Sequence, residues 1–275
     1  MSGTMSKEDQ VYLFRKSLPL QVRLQEVRRA LGNIDGLTCL EIGAENGLFS
    51  LQLRKHGGTW QSFAEDAETA AAVGEVLQED VQVLENGVLP FNKKVFDIIV
   101  VVNFLERYTD DVGFIEQCHK ALNPEGRFIV VTNRIGAFMP VRLVRRMLGL
   151  TGEREHFVRS GYSESELFDV LKSGFDVHVV RPFSRCLVEL TRAFVDRLAA
   201  RPTPGGSGAA SGHRRLYIAA GIIYRIVYQL DFLMLMSRGY SQIATAKRRS
   251  WRSRNAPVLV DGRSISEVVL SRPAG

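Results

Sequence analysis

The sequence predicts a doubly wound α/β sheet, and three observations carry that prediction. Residues 38–47 (Thr-Cys-Leu-Glu-Ile-Gly-Ala-Glu-Asn-Gly) run from a short apolar strand through a glycine turn toward a helix. Residues 96–102 (Phe-Asp-Ile-Ile-Val-Val-Val) are β-branched and almost uniformly apolar, the pattern of a central parallel strand covered on both faces. Around them, strand-like and helix-like stretches alternate at the rhythm of a parallel sheet.

Taken in order, residues 7–31 read as an amphipathic helix interrupted near Pro19, and residues 32–36 as the loop into the first strand, 37–42. Leu48, Leu51 and Leu53 give residues 48–56 helical spacing. A second strand follows over 59–64, an alanine-rich helix over 67–77 and a short third strand over 81–84. Leu89-Pro90-Phe91 is a turn before the fourth strand, and residues 110–122 form a helix stopped by Asn123-Pro124-Glu125-Gly126. Residues 127–132 are the fifth strand and 138–148 a basic amphipathic helix. The helix over 163–173 opens on a capping box, Ser163 with Glu166, and leads to a sixth strand at 175–181. Residues 187–200 are helical, 201–212 a Pro/Gly/Ser/Ala linker, 216–236 strongly apolar, 240–247 a seventh strand, and 256–270 a further short hairpin or docking strand.

The charge is unevenly placed. Residues 181–275 hold 16 Lys and Arg against 5 Asp and Glu, whereas residues 1–180 hold 20 against 25. A basic carboxyl-terminal third on an acidic body points to an anionic surface or substrate, or to a solvated Arg-rich face. Cys39, Cys118 and Cys186 are too few and scattered for a disulfide framework, which fits a reducing cytosol. No apolar leader is visible, so secretion is not expected. His56, His178 and His213 lack ligand spacing, so no metal is expected; Cys39 is expected in the core.

Four polar features fall at the carboxyl ends of successive strands, where open α/β sheets bind ligands. They are Glu41 with the Gly43–Gly47 turn, Asp66 with Glu65 beside it, Glu85-Asn86-Gly87, and Asn103-Phe104-Leu105-Glu106. Gly43 would admit a ligand close to the backbone, an acid at 66 could accept both hydroxyls of a ribose, and a polar side chain near 86 could read an adenine edge. The turn is Gly-x-x-x-Gly, not Gly-x-Gly-x-x-Gly, which disfavours a pyrophosphate ligand and a nicotinamide oxidoreductase.

Residues 40–47, Leu89-Pro90-Phe91 followed by Phe96-Asp97, Phe104-Leu105-Glu106 and residues 121–128 (Ala-Leu-Asn-Pro-Glu-Gly-Arg-Phe) together resemble a class I S-adenosylmethionine-dependent methyltransferase. The likeness is to the broad type 11 group and covers residues 35–182, with residues 240–247 resembling that fold's final antiparallel strand. It implies a seven-stranded Rossmann-like sheet with the last strand antiparallel beside the fifth and a helical insertion before it. The chain then divides into an amino-terminal helical cap (1–34), a cofactor-binding core (35–182), a helical insertion with its linker (183–238), the final core strand (239–249) and a basic tail (250–275). The resemblance further implies S-adenosylmethionine as cofactor. Glu41, Gly43, Ala44 and Gly47 would meet its methionine part, Asp66 the ribose, and Asn86 with Gly87 the adenine, with Asn103 near the sulfonium. Three positions depart from the family pattern: Glu45 in the first turn, Asn86 where aspartate is common, and Arg107 where histidine often stands.

The segment 153–162 is a candidate lid over the strand ends. His156 is its candidate base, because an imidazole titrates near neutrality. Alternatively His156 and Tyr162 only tether the lid by hydrogen bonds. Arg134, Arg142 and Arg159 could grip a phosphate or carboxylate, so Arg134, Arg159 and Tyr162 are candidate substrate contacts. Residues 216–236 are long enough to span a bilayer, yet Arg225 and Asp231 fall inside them, each costing ~2.5–3.5 kcal/mol at its centre. With tyrosines within and arginines flanking, the segment instead fits a helix on an anionic membrane surface, one clasping a lipid-linked substrate, or one packed on the sheet or a second copy. The basic third shows no nucleic-acid reading module. The expected activity is O- or C-methylation of a small-molecule, glycan or lipid-linked acceptor, in the cytoplasm or peripherally at the membrane's inner face. A faint likeness of the lid and tail to methyltransferases of bacterial polysaccharide clusters favours a glycan. The alternative is a catalytically silent scaffold that binds a partner or membrane through its tail.

Overall fold

In a computed structural model, residues 14–15, 17–44, 47–84, 87–91, 95–135, 147, 158–183, 191 and 240–249 are described. They form one seven-stranded sheet with helices on both faces. The strands are β1 (Thr38–Ile42), β2 (Thr59–Ala64), β3 (Gln82–Val83), β4 (Phe96–Val102), β5 (Leu122–Asn133), β6 (Phe175–Pro182) and β7 (Ser241–Arg248). The helices are α1 (Leu18–Leu31), α2 (Gly47–Arg54), α3 (Ala67–Leu77), α4 (Asp111–Ala121) and α5 (Glu164–Leu171). The order across the sheet is β3-β2-β1-β4-β5-β7-β6. β1 to β5 pair in parallel, and β7 enters antiparallel between β5 and β6.

Period-two alternation divides the central strands between two cores. Leu40, Ile42, Ile99, Val101, Phe128 and Val130 point into the layer under α4 and α5. Cys39, Ile98, Val100, Val102, Ile129 and Val131 point into the layer under α1 and α2. Cys39 thus lies in the core, and burial pushes its thiol up to about 12, so it stays protonated at neutral pH.

The structure moves several predicted boundaries. Residues 14 and 15 are helical and Ser17 is extended, at φ of −79° and ψ of 94°, so the helical stretch is interrupted just before Pro19. Pro19 falls in the first turn of α1, where its missing N–H lacks an intrahelical acceptor anyway. The strand predicted at 127–132 begins at Leu122, which pairs with Phe96 across an irregular register before regular pairing starts at Arg127. Glu125 supports that bend with φ of 66°. The predicted helix at 163–173 closes to α5 and keeps its capping box. The Glu166 N–H donates to Ser163 Oγ, and the Ser163 N–H donates to Glu166 Oε2.

The predicted helices at 138–148 and 187–200, the linker at 201–212 and the apolar segment 216–236 lie outside the described residues, as does the tail beyond 249. Among the described residues, no helix is long and apolar enough to cross a membrane.

Candidate functional site

Eleven polar or charged side chains are buried among the described residues, and they gather in the carboxyl half of the parallel strands or pack against it. Glu41 and Ser62 lie near the ends of β1 and β2, Asn103 and Glu106 just after β4, and Thr132 and Asn133 at the end of β5. Buried polarity costs free energy unless it is hydrogen-bonded, so its confinement to one edge marks that edge as more than packing.

The turn after β1 is held tightly. The N–H groups of Gly43 and Ala44 both donate to the Phe63 carbonyl, at 3.0 and 3.2 Å. Gly43 has φ of 85°, and a Cβ there would stand 2.4 Å from the Val102 carbonyl oxygen and 3.0 Å from Phe104 Cβ. Glycine is therefore required by the approach of this turn to the end of β4. Gly47 opens α2, where a Cβ would meet Val76 Cβ at 2.7 Å; its bareness lets α2 settle on α3. Ala44 is buried in the small cluster under α3, with Ala64 and Val73.

Glu41 was expected to meet the cofactor, but its carboxylate lies beneath α2. Oε1 accepts from Ser50 Oγ and Oε2 from Ser62 Oγ, both at 2.8 Å, and Arg54 stands 3.8 Å away. Burial raises its pKa above the usual carboxylate value, against the opposing pull of both hydroxyls and the guanidinium. Asp66 is the N-cap of α3, accepting from the Thr69 N–H at 2.8 Å and from Thr69 Oγ1 at 3.0 Å. An Asp three residues before Thr at the head of an alanine-rich run signals such a cap. The acid beside it, Glu65, forms an ion pair with Arg107, in the 3₁₀ turn Leu105–Arg107 after β4. Since β1 lies between β2 and β4, that pair straddles the carboxyl end of β1.

Gly87 has φ of 71° and no room for a Cβ, which would lie 2.0 Å from the Tyr108 ring. Gln117 of α4 fastens this loop, accepting from the Leu89 N–H at 2.8 Å and donating to the Gly87 carbonyl at 3.3 Å. Asn103 is buried with φ of 49°, uncommon for a residue with a side chain. Its N–H donates to the Val131 carbonyl at 2.8 Å. Oriented with its amide oxygen toward α1, it accepts from Arg23 Nη1 at 3.0 Å and Nη2 at 3.2 Å. Sequence reasoning missed Arg23. Its signal was a cation inside the apolar stripe of Leu24, Val27 and Leu31.

The predicted substrate contacts turn inward. Tyr162 is completely buried, and its hydroxyl donates to Asp111 Oδ2 at 2.9 Å and to the Leu105 carbonyl at 3.3 Å. Burial and the neighbouring Asp111 carboxylate push the phenol far above its ordinary pKa. This is the tethering role, not a substrate contact. Arg159 lies over the Tyr162 ring at 4.6 Å and pairs with Asp111 at 3.1 Å. Arg134 donates through Nε to Glu164 at 3.0 Å. Both arginines thus meet carboxylates of the protein, because the loop ending at Tyr162 is stitched to the sheet. The Val158 and Arg159 N–H groups donate to the Glu106 carbonyl, and Glu106 Oε1 accepts from the Asn133 N–H. His156, Asn86 and Glu45 lie outside the described residues.

Residues 40–130, a third of the chain, match a family model described as a methyltransferase domain. No curated protein matches the chain. Among solved structures, a S-adenosylmethionine-dependent methyltransferase from Mesorhizobium loti aligns at 16% identity and a TM-score of 0.55, over 82% of this chain and 98% of that one. A geranyl diphosphate methyltransferase in complex with S-adenosylmethionine aligns at 15% identity and 0.55, over 87% and 90%. The [4+2]-cyclase SpnF aligns at 17% identity and 0.56, over 84% and 82%. At these identities the likenesses show the fold, a Rossmann-like α/β sheet.

The cofactor of such a domain is S-adenosylmethionine, and the residues at the carboxyl edge fit it. Glu65 is a part-exposed carboxylate at the end of β2, the Gly43 turn presents bare backbone, and Asn103 offers an amide at the end of β4. Over residues 40–130 the chain is thus similar to a methyltransferase domain, and its fold is the seven-stranded Rossmann-like sheet with an antiparallel last strand.

Proposed function

We propose that the chain transfers a methyl group from S-adenosylmethionine to an oxygen or carbon of a small-molecule, glycan or lipid-linked acceptor. The observation that carries this reading is the concentration of buried polar side chains at the carboxyl edge of a sheet with this strand order. When bound, the cofactor supplies an electrophilic methyl on a cationic sulfur. The protein's part is to hold and orient. Glu65 accepts ribose hydroxyls at the end of β2, the Gly43 and Gly87 turns admit the nucleoside, and Asn103 directs its amide toward the reacting end. Glu106, Asp111 and Tyr162 brace the loop that leads from the candidate base His156. The basic residues of 181–275 favour an anionic acceptor or surface.

Calorimetry with S-adenosylhomocysteine tests the first half of this reading; the expected result is a specific 1:1 heat. A silent scaffold would give none. Labelled-methyl transfer to a panel of glycan and lipid acceptors tests the second half. A fold neighbour that is a cyclase makes that assay necessary, since binding alone does not establish transfer. His156→Ala should lower turnover by roughly 10²–10⁴-fold with unchanged S-adenosylhomocysteine affinity. Unchanged turnover would remove His156 as the base.

A further inference from the structure

The Glu65–Arg107 ion pair lies across the part of the carboxyl edge that a nucleoside needs. Its acid stands at the end of β2 and its guanidinium on the 3₁₀ turn after β4, with β1 between them. Neighbouring strands are ~4.8 Å apart, so the two side chains together bridge roughly 10 Å. Between the two ends lies the Gly43–Ala44 turn. It is tied to β2 by its N–H bonds to the Phe63 carbonyl and pressed on β4 at Val102 and Phe104.

The arginine end of the pair is anchored. The Glu106 carbonyl accepts from the Val158 and Arg159 N–H groups at 3.0 and 3.2 Å, and Glu106 Oε1 accepts from the Asn133 N–H at 2.6 Å. The Arg107 guanidinium also stands 5.9 Å from the centre of the Phe104 ring. The acid end is the looser one, with the Glu65 side chain 31% exposed against 14% for Arg107.

We infer that Arg107 is an autoinhibitory latch on Glu65: guanidinium and ribose hydroxyls exclude one another at this carboxylate, and the nucleoside parts the pair to enter. The inference rests on the S-adenosylmethionine reading with Glu65 as its ribose acid. Two features lead there. A ligand that touches both the Gly43 turn and Glu65 fills the span that the ion pair crosses, so ligand and pair compete for one place. Secondly, the exchange is close to balanced. A part-exposed ion pair is weak, and hydroxyls donating to the carboxylate replace it with charge-assisted hydrogen bonds. The pair is thus strong enough to close the edge and weak enough to yield.

The test is a binding cycle on the full chain, read by calorimetry with S-adenosylhomocysteine. The proteins are wild type, Arg107→Gln, Arg107→Lys, Glu65→Gln and the double variant Arg107→Gln/Glu65→Gln. Arg107→Gln should bind roughly twofold to tenfold more tightly than wild type, because no ion pair has to be broken. Arg107→Lys keeps the charge and should fall between them. In the Glu65→Gln background the same change at 107 should alter affinity by less than about twofold, since the latch acts only through Glu65. Should glutamine at 107 unfold the chain, Arg107→Met, which keeps an unbranched stem beside Phe104, carries the same expectation. An uncharged side chain at 107 that binds no more tightly than wild type overturns the latch. So does a gain that persists undiminished without Glu65. Absence of binding to wild type and to every variant overturns instead the cofactor reading beneath it.

Discussion

The two edges of the sheet use hydrogen bonds for different ends. At the amino edge, Asp97 joins three strands. Its Oδ2 accepts from the Thr38 N–H at 2.9 Å at the start of β1, and its Oδ1 accepts from Asn123 Nδ2 at 2.8 Å at the start of β5. These groups are half-buried, so water can replace any one of them at moderate cost. At the carboxyl edge, Glu41, Asn103, Glu106 and Asp111 are buried, while positive φ occurs at both edges, at Gly43, Gly87 and Asn103 here and at Gly36, Gly57, Gly58 and Glu125 at the other. The amino edge closes the sheet; the carboxyl edge carries costs that stability alone does not call for.

The largest break in that contrast should come from Gly43→Ala. A Cβ there meets the Val102 carbonyl at 2.4 Å, and an L side chain must also adopt φ of 85°. Positive φ costs ~1–2 kcal/mol and a forced backbone shift ~1–3 kcal/mol. We expect the unfolding free energy to fall by about 3 kcal/mol in chemical denaturation. S-adenosylhomocysteine affinity should fall at least tenfold, because the turn must leave β4. A variant within 1 kcal/mol of wild type and with full affinity would show that the turn is not held by this contact.

Asp97→Asn is the counterpart at the other edge. Replacing one carboxylate oxygen by an amide leaves either Thr38 or Asn123 facing a donor, which should cost about 1–2 kcal/mol. Affinity for S-adenosylhomocysteine should not change. If it drops as far as in Gly43→Ala, the division of labour between the edges is wrong.

The fold was legible because strand alternation and glycine turns are local signals. The β-branched run of β4 and the Ser163/Glu166 box each announce themselves within a few residues. The site was legible as an edge, less so residue by residue. Which way a carboxylate turns is decided by residues distant in sequence. Glu41 is claimed by Ser62, 21 residues on, and Tyr162 by Asp111, 51 residues back. Asp66 carries two local signals, since Thr69 identifies a cap as plainly as the strand end suggests a ribose acid. Arg23 could not be placed without the sheet order, because its partner lies 80 positions away on the central strand's end.

The smallest change should be Glu41→Gln, and its sign is set by pH. Burial holds this carboxyl above its ordinary 4.5, so the folded chain keeps the proton more firmly than the unfolded one. Between the two values the native state binds more protons, and stability falls as pH rises. The contribution is therefore whole below 4.5 and is lost as pH climbs through the folded value. Glutamine keeps the shape, and Ser50 and Ser62 can turn their hydroxyls to meet its amide. At about pH 4 the variant and wild type should differ by no more than about 1 kcal/mol. Toward neutrality wild type should lose stability relative to Glu41→Gln, seen as diverging melting temperatures across a pH series. Parallel curves would mean that Ser50, Ser62 and Arg54 fully compensate the buried charge. Because both oxygens already serve Ser50 and Ser62, S-adenosylhomocysteine affinity should stay within about threefold. A larger loss would return Glu41 to the cofactor and make it an acid shared between the fold and its ligand.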